Sequence, residues 1–269
     1  MGIVSAIKHL FGKHKTPAKV GVETLLQNLE SNGLSREEAK GTVVYMFMKE
    51  SQKLKNKQAV EEKAQTINAA IKEEEIDKDW LNRFNGIAEE VSDETMQALW
   101  AQILAGEAKK PLSYSIKTLD VLRGMSKKDA EIYVEAMKYQ CFENFAIDEK
   151  ECGIDLNTKI VLTDMGLLSS EDIERSVSFD KGVTTRIINK TYLLKVDCEE
   201  NKTIKLRGRR LTQAGFELLQ LTDARENLEL INHIVKKLTA VGVKSASVHK
   251  IVKRDGDDIS YITEPEIRM

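Results

Sequence analysis

The sequence predicts a mainly α protein: an N-terminal helical domain, then an α+β winged-helix-like module, then a C-terminal helix with a β-hairpin. Three observations carry this reading. Proline occurs only 3 times in 269 residues, which favours long helices because its ring removes a backbone donor and clashes with the preceding turn. Apolar residues recur at helical spacing through the first half, as at Trp80, Leu81, Phe84, Ile87, Ala88 and Val91. After about residue 180, runs of branched and aromatic residues between polar turns replace that period.

The first nineteen residues carry Lys8, Lys13, Lys15 and Lys19 with no acid, and Ile3, Val4, Ile7, Leu10 and Phe11 recur at helical spacing. This is a short basic amphipathic helix, suited to an anionic membrane surface, to a partner, or to its own domain. Ile3, Ile7, Leu10 and Phe11 are the candidate partner- or membrane-binding residues. Met1-Gly2 opens like a myristoylation signal, but Ala6 stands where Ser or Thr is required.

Asn32-Gly33 marks a turn, and Ser35 with Glu38 forms a capping box, so a helix should start near Arg36. Its apolar face is Ala39, Val43, Met46 and Phe47; a polar segment from Lys49 to Lys57 leads to a thinner stripe of Val60, Ala64, Ile67 and Ile71. That stripe packs on a single neighbour or in a coiled-coil-like pair, and the run Lys72 to Asp79 reads as a solvated linker. The Trp80 helix follows, then one capped by Ser92 with a core stripe of Met96, Leu99, Trp100, Ile103 and Leu104, bounded by Gly106 and Pro111. A third, near Ser115 to Arg123, buries Ile116, Leu119 and Leu122. Ser126 to Asp129 caps a fourth running through Ala130, Tyr133, Met137 and Cys141.

Beyond residue 150, Ile160 to Met165 reads as helix and Gly166 can end it in the left-handed conformation. Strands are expected at Val183 to Ile188, Tyr192 to Val196 and Thr203 to Leu206, with a polar turn from Asp197 to Lys202. Leu211-Thr212 opens a helix carrying Phe216, Leu218, Leu219 and Leu221. Leu228 to Leu238 is another, and Asp255-Gly256 joins two final β segments. The expected divisions are 1–75 (helical, with the basic amphipathic start), 76–150 (compact helical domain), 151–225 (winged-helix-like module) and 226–269 (helix and hairpin).

The block Asp79-Trp80-Leu81-Asn82-Arg83-Phe84, Ala88-Glu89-Glu90-Val91-Ser92, Met96-Gln97, Leu99-Trp100, Ile103-Leu104-Ala105-Gly106-Glu107, Pro111, Ser115, Thr118-Leu119 and Leu122 resembles family 2806 of the bacterial domains of unknown function. With Gly166-Leu167-Leu168 and Leu211-Thr212-x-x-Gly215, the order of motifs is also loosely similar to the abortive-infection alpha family of phage-defence proteins. The resemblance covers roughly residues 75 to 220. It implies a bacterial or prophage setting, a helical fold and a role in defence, and brings no catalytic residue with it. Trp80, Phe84, Leu99, Trp100 and Leu104 lie on the buried faces of the stripes, so packing explains them; Arg83 and Glu107 belong either to an internal ion pair or to a partner surface.

Lys+Arg 41 against Asp+Glu 43 leaves a net charge of −2, so any nucleic-acid contact must come from a local patch. That patch is Lys202, Lys205, Arg207, Arg209 and Arg210, where alternation puts Lys205, Arg207 and Arg209 on one strand face able to grip phosphate. No phosphate-cradling glycine loop, zinc-protease helix or nucleophile elbow is present. His9, His14, His233 and His249 are scattered, and Cys141, Cys152 and Cys198 lack ligand spacing, so no catalytic set, metal site or cofactor is expected. Asp180 with Glu200 and Lys202 offers one weak arrangement for a metal-dependent nuclease, set against an ordinary charged turn.

The longest apolar stretch, Val43 to Met48, is far below the ~20 residues of a membrane span, and no secretory leader is legible. The expectation is therefore a cytoplasmic protein, or one at a membrane periphery through its basic N-terminus, without a small-molecule substrate. It acts by protein partner binding or self-association, in phage defence by resemblance. A winged-helix nucleic-acid binder using residues 202–210 is the first alternative and a nuclease the second.

Overall fold

A computed structural model describes residues 17–68, 76–223, 226–255 and 258–268. They form an α+β protein with two antiparallel sheets, not the mainly α chain expected. Contacts divide the chain into two compact units: the described residues of Met1–Glu73 with Leu81–Ala105, and those of Glu74–Trp80 with Gly106–Met269.

In the first unit, α1 (Pro17–Ser31) turns at Gly33 into α2 (Arg36–Ile67), and the two share a core of Leu26, Ala39 and Val43. The Ser35 capping box forms as expected: Ser35 Oγ accepts from Glu38 N–H while the Glu38 carboxylate accepts from Ser35 N–H at 2.8 Å. The polar segment from Lys49 to Lys57 does not interrupt α2. Asn56 is buried there and donates to the Glu89 carbonyl at 2.9 Å, so a polar residue occupies a packed position with its hydrogen bond satisfied. Two further helices follow, α3 (Lys78–Ala88) and α4 (Glu94–Lys109). Phe84 and Trp100 meet edge to face at 5.5 Å between ring centres. Asp93, not Ser92, accepts from the Met96 amide at the start of α4.

In the second unit, α5 (Ile116–Arg123) and α6 (Lys127–Ala136) are capped by Ser115 and Ser126 as read. Ile116 is exposed rather than buried, leaving Thr118, Leu119 and Leu122 as the inner face. The fourth helix stops at Ala136, and a 3₁₀ turn leads to β structure that begins at residue 140 rather than near 180. These strands are β1 (Gln140–Cys141), β2 (Phe145–Glu149) and β3 (Cys152–Gly153); Cys141 thus lies in a strand, not on a helix. After α7 (Leu156–Asp164) come β4 (Leu168–Phe179), β5 (Gly182–Ile187), β6 (Tyr192–Cys198) and β7 (Lys202–Leu211). Next are α8 (Gln213–Leu219), α9 (Leu228–Ala240), β8 (Ser245–Asp255), β9 (Asp258–Tyr261) and β10 (Ile267–Arg268).

One sheet has the order β1-β2-β7-β4 with β3 on β2; the other has β10-β8-β6-β5 with β9 on β8. The stretch expected to be winged-helix-like is α+β, but its strands divide. β6 pairs with β5 and β8 while β7 pairs with β2 and β4, so its two best-marked strands make no wing hairpin with each other. Phe145, Ile147 and Phe179 from one sheet meet Tyr192 and Leu194 from the other, and Leu230, Ile231, Ile234 and Leu238 of α9 complete this core. The β8–β9 hairpin forms where Asp255-Gly256 predicted it, with Asp255 opposite Asp258.

Candidate functional site

The basic ribbon lies on β7, with Lys205, Arg207 and Arg209 on the face opposite the buried Ile204 and Leu206, as alternation required. Its neighbour β4 interleaves acids with these cations. Glu174 holds Lys205 at 2.7 Å, Asp172 holds Arg209 at 2.7 Å, and Glu200 in the preceding turn holds Lys202 at 2.7 Å. Arg209 also donates to Thr163 Oγ1 at 2.9 Å, which ties the ribbon to α7. Arg207 and Arg210 make no ion pair among the described residues.

Lys181 N–H donates to Asn201 Oδ1 at 2.9 Å, so the turns bearing Asp180 and Glu200 are adjacent. Glu200 is engaged by Lys202, and among the described residues no group of three or more His, Cys, Asp and Glu could hold a metal ion. Ile3, Ile7, Leu10 and Phe11 lie outside the described residues, as do His9 and His14. His233 Nε2 sits 3.1 Å from Glu149, which also holds Lys237 at 2.6 Å; His249 contacts Ser247 at 2.9 Å and the Ile262 carbonyl at 3.0 Å. All three cysteines are free and buried, and burial pushes the Cys152 thiol up to about 12 and raises that of Cys141, so neither is a thiolate nucleophile near neutral pH.

The motif block proves to be an interlock. Glu107, 1% exposed, turns back from the last turn of α4 and accepts the amides of Leu112 at 2.6 Å and Tyr114 at 2.9 Å. The Tyr114 carbonyl accepts Trp80 Nε1–H at 2.7 Å, and a Cβ at Gly106 would stand 2.9 Å from the Tyr114 ring. Glu217 on α8 accepts Ser115 N–H at 2.7 Å and Thr118 Oγ1–H at 2.5 Å, placing a carboxyl group at the positive end of α5. Glu107 is therefore a loop staple, and Arg83 is an exposed residue of α3.

The second motif pair interlocks too. Gly166 ends α7 at φ +73°, its carbonyl accepts Thr212 Oγ1–H at 2.6 Å, and the Leu167 carbonyl accepts Thr212 N–H at 3.0 Å. A Cβ at Gly215 would stand 2.2 Å from that same Leu167 oxygen. Gly-Leu-Leu and Leu-Thr-x-x-Gly are thus two sides of one helix junction.

Elsewhere in this unit a cleft of about 1080 Å³ opens between the edge strands β4 and β5. Arg175, Arg186, Lys190 and Arg254 line it, and among the described residues Glu143 is the one acid of the lining. Phe142 and Glu143, at φ 47° and 72°, form the turn from β1 to β2 at one end of it. Arg175 meets Glu143 only at 3.5 Å, and the Glu143 side chain is 81% exposed. Arg186 donates to the Ser178 carbonyl at 3.2 Å, and Lys190 donates to the carbonyls of Leu219, Gln220 and Thr222 at 2.7–3.0 Å. Those acceptors are neutral, so they do not cancel the charge; burial lowers the pKa of the Lys190 ammonium, and nearby Asp223 opposes that shift. None of these cations was singled out in the sequence, since no motif joins Arg175, Arg186 and Lys190 to one another or to the distant Arg254.

No curated protein and no solved structure matches the chain. The family model described as protein of unknown function DUF2806 matches residues 46–150 and 138–235, together more than two thirds of the 269 residues. The interlocked motifs at Trp80–Leu122 fall inside that match, and this chain belongs to the DUF2806 family.

Proposed function

We propose that this protein acts by binding a partner, and that the partner presents negative charge to the cleft between β4 and β5. The observation that carries the reading is the lining itself: among the described residues, four cationic side chains and one exposed acid surround about 1080 Å³. A concave, one-signed surface raises the local concentration of opposite charge and orients it. The ribbon at Lys202, Lys205, Arg207, Arg209 and Arg210 is the weaker candidate, because three of its five cations already face carboxylates. The similarity of motif order to phage-defence proteins supports a cytoplasmic, bacterial, defence-related setting for this binding. Self-association through the basic N-terminus, at Ile3, Ile7, Leu10 and Phe11, fits the same reading.

The test is titration of the intact protein with polyglutamate and with single-stranded oligodeoxynucleotide across ionic strengths. Polyanion binding that weakens with salt is expected, together with its loss in Arg175→Glu/Arg254→Glu and its retention in Arg207→Glu/Arg210→Glu. The reverse pattern transfers the function to the ribbon. No retention of either polyanion at low salt defeats the proposal.

A further inference from the structure

β4 and β5 end two different sheets, yet they wall one cleft, Arg175–Ser178 along one side and Thr185–Ile188 along the other. Among the described residues β4 pairs only with β7, and β5 only with β6. Each strand therefore turns one row of backbone N–H and C=O groups to the cleft, the template that an added strand uses. The Arg186 bond to the Ser178 carbonyl shows which row this is on β4. In an antiparallel strand the N–H and C=O of one residue point the same way, so both groups of Ser178 and of Ser176 face the cleft. A side chain spans the gap because the two backbones do not meet. At one end the cleft is closed by Phe142 N–H on the Ile188 carbonyl at 2.6 Å, and Phe142, Val177 and Ile188, all buried, give it an apolar floor.

We propose that this slot takes an extended acidic peptide segment of a partner protein. Its backbone pairs with the edges of β4 and β5 and its carboxylates reach Arg175, Arg186 and Arg254. The inference rests on the partner-binding reading above and names the partner's chemistry. Charge complementarity selects an anionic occupant, and the strand edges select a peptide among anions. A phosphodiester backbone has no N–H to alternate with its acceptors, and among the described residues Phe216, 42% exposed, is the one accessible aromatic in the lining, where single strands would need several stacking surfaces. Four residues on each wall match a segment of about four to six residues at ~3.3 Å per residue. An incoming carboxylate displaces Glu143 from Arg175 at little cost, since exposed pairs of this kind are weak.

Fluorescence anisotropy on the whole protein decides the matter, with four labelled probes: a six-residue peptide alternating Glu and Val, the same peptide N-methylated at every second amide, a Lys-Val analogue, and oligothymidylate. The Glu-Val peptide is expected to bind, with affinity falling as salt rises. N-methylation, which keeps charge and removes backbone donors, should weaken binding about tenfold or more, and the Lys-Val analogue should not bind. Slowed amide exchange at Ser176 and Ser178 on peptide addition would place the segment on the β4 edge. Equal binding of the N-methylated peptide would overturn strand pairing and leave an anion site held by charge alone. Binding of oligothymidylate without the peptide would overturn the peptide and keep the anion site, whereas failure of all four probes would overturn both readings.

Discussion

Replacing Glu107 by alanine removes the carboxylate that holds the amides of Leu112 and Tyr114, and the expected cost can be worked from its bonds. The carboxyl group is 1% exposed and accepts two amides, Leu112 N–H at 2.6 Å and Tyr114 N–H at 2.9 Å. A buried donor left without an acceptor costs about 1–3 kcal/mol. Tyr114 is buried, so its amide suffers the full penalty; Leu112 is 87% exposed, so water can partly replace the lost acceptor there. The sum is about 2–4 kcal/mol, a large share of the ~5–15 kcal/mol stability of a typical domain. Leu112 also sits at φ 67°, an unfavourable conformation for a residue with a Cβ, which the staple imposes. Leu112→Gly should therefore stabilise by about 1 kcal/mol, and Glu107→Gln, with one acceptor retained, should fall between wild type and alanine. Urea unfolding reads all three, and Trp80 reports the loop directly because its Nε1–H rests on the Tyr114 carbonyl at 2.7 Å. A Glu107→Ala midpoint shift equivalent to less than about 0.5 kcal/mol, the range of ordinary surface changes, would refute the staple.

Gly215→Ala places a methyl group 2.2 Å from the Leu167 oxygen, which is itself fixed by the Thr212 amide, so thermal unfolding should show a loss of about 1–3 kcal/mol or more. Gly41→Ala, inside α2 with nothing within 4 Å, should instead stabilise by about 0.5–1 kcal/mol in the same assay; equal effects at the two sites would contradict the junction geometry. Stability should also be lost in acid. Ser35, Ser126 and Thr158 hold the carboxyls of Glu38, Asp129 and Asp155 below their usual range. Burial alone would raise Glu149, but Lys237 and the Arg207 amide outweigh it and leave it lowered too. Folded values below unfolded ones mean that this stability is present above the ordinary carboxylate range, about 4, and lost as pH falls through the folded values. Melting temperatures from circular dichroism should be flat down to about pH 5 and then fall; a rise on acidification would contradict the assignment.

Local chemistry was legible in the sequence wherever a few neighbouring residues settle a conformation. Ser35 with Glu38, Ser126 with Asp129, and Thr212 start their helices as read, because a cap is satisfied within four residues. The stripes also placed Trp80 and Trp100 in the interior, at 4% and 1% exposure. The strands from residue 140 to 179 were not legible, for two reasons. The β1–β2 turn uses Phe142 and Glu143 at positive φ, where no glycine or asparagine marks it, and Glu171, Asp172 and Glu174 obscure the alternation of Ile173, Arg175, Val177 and Phe179. Those acids make sense only once β7 lies alongside, where Glu174 and Asp172 meet Lys205 and Arg209. That pairing spans some thirty residues and also decides how much of the ribbon's charge is left for a ligand. The cleft was beyond any local reading. Arg175, Arg186, Lys190 and Arg254 converge because β4 and β5, consecutive in the chain, end different sheets, a choice of partner made by long-range pairing and by the core that both sheets share with α9.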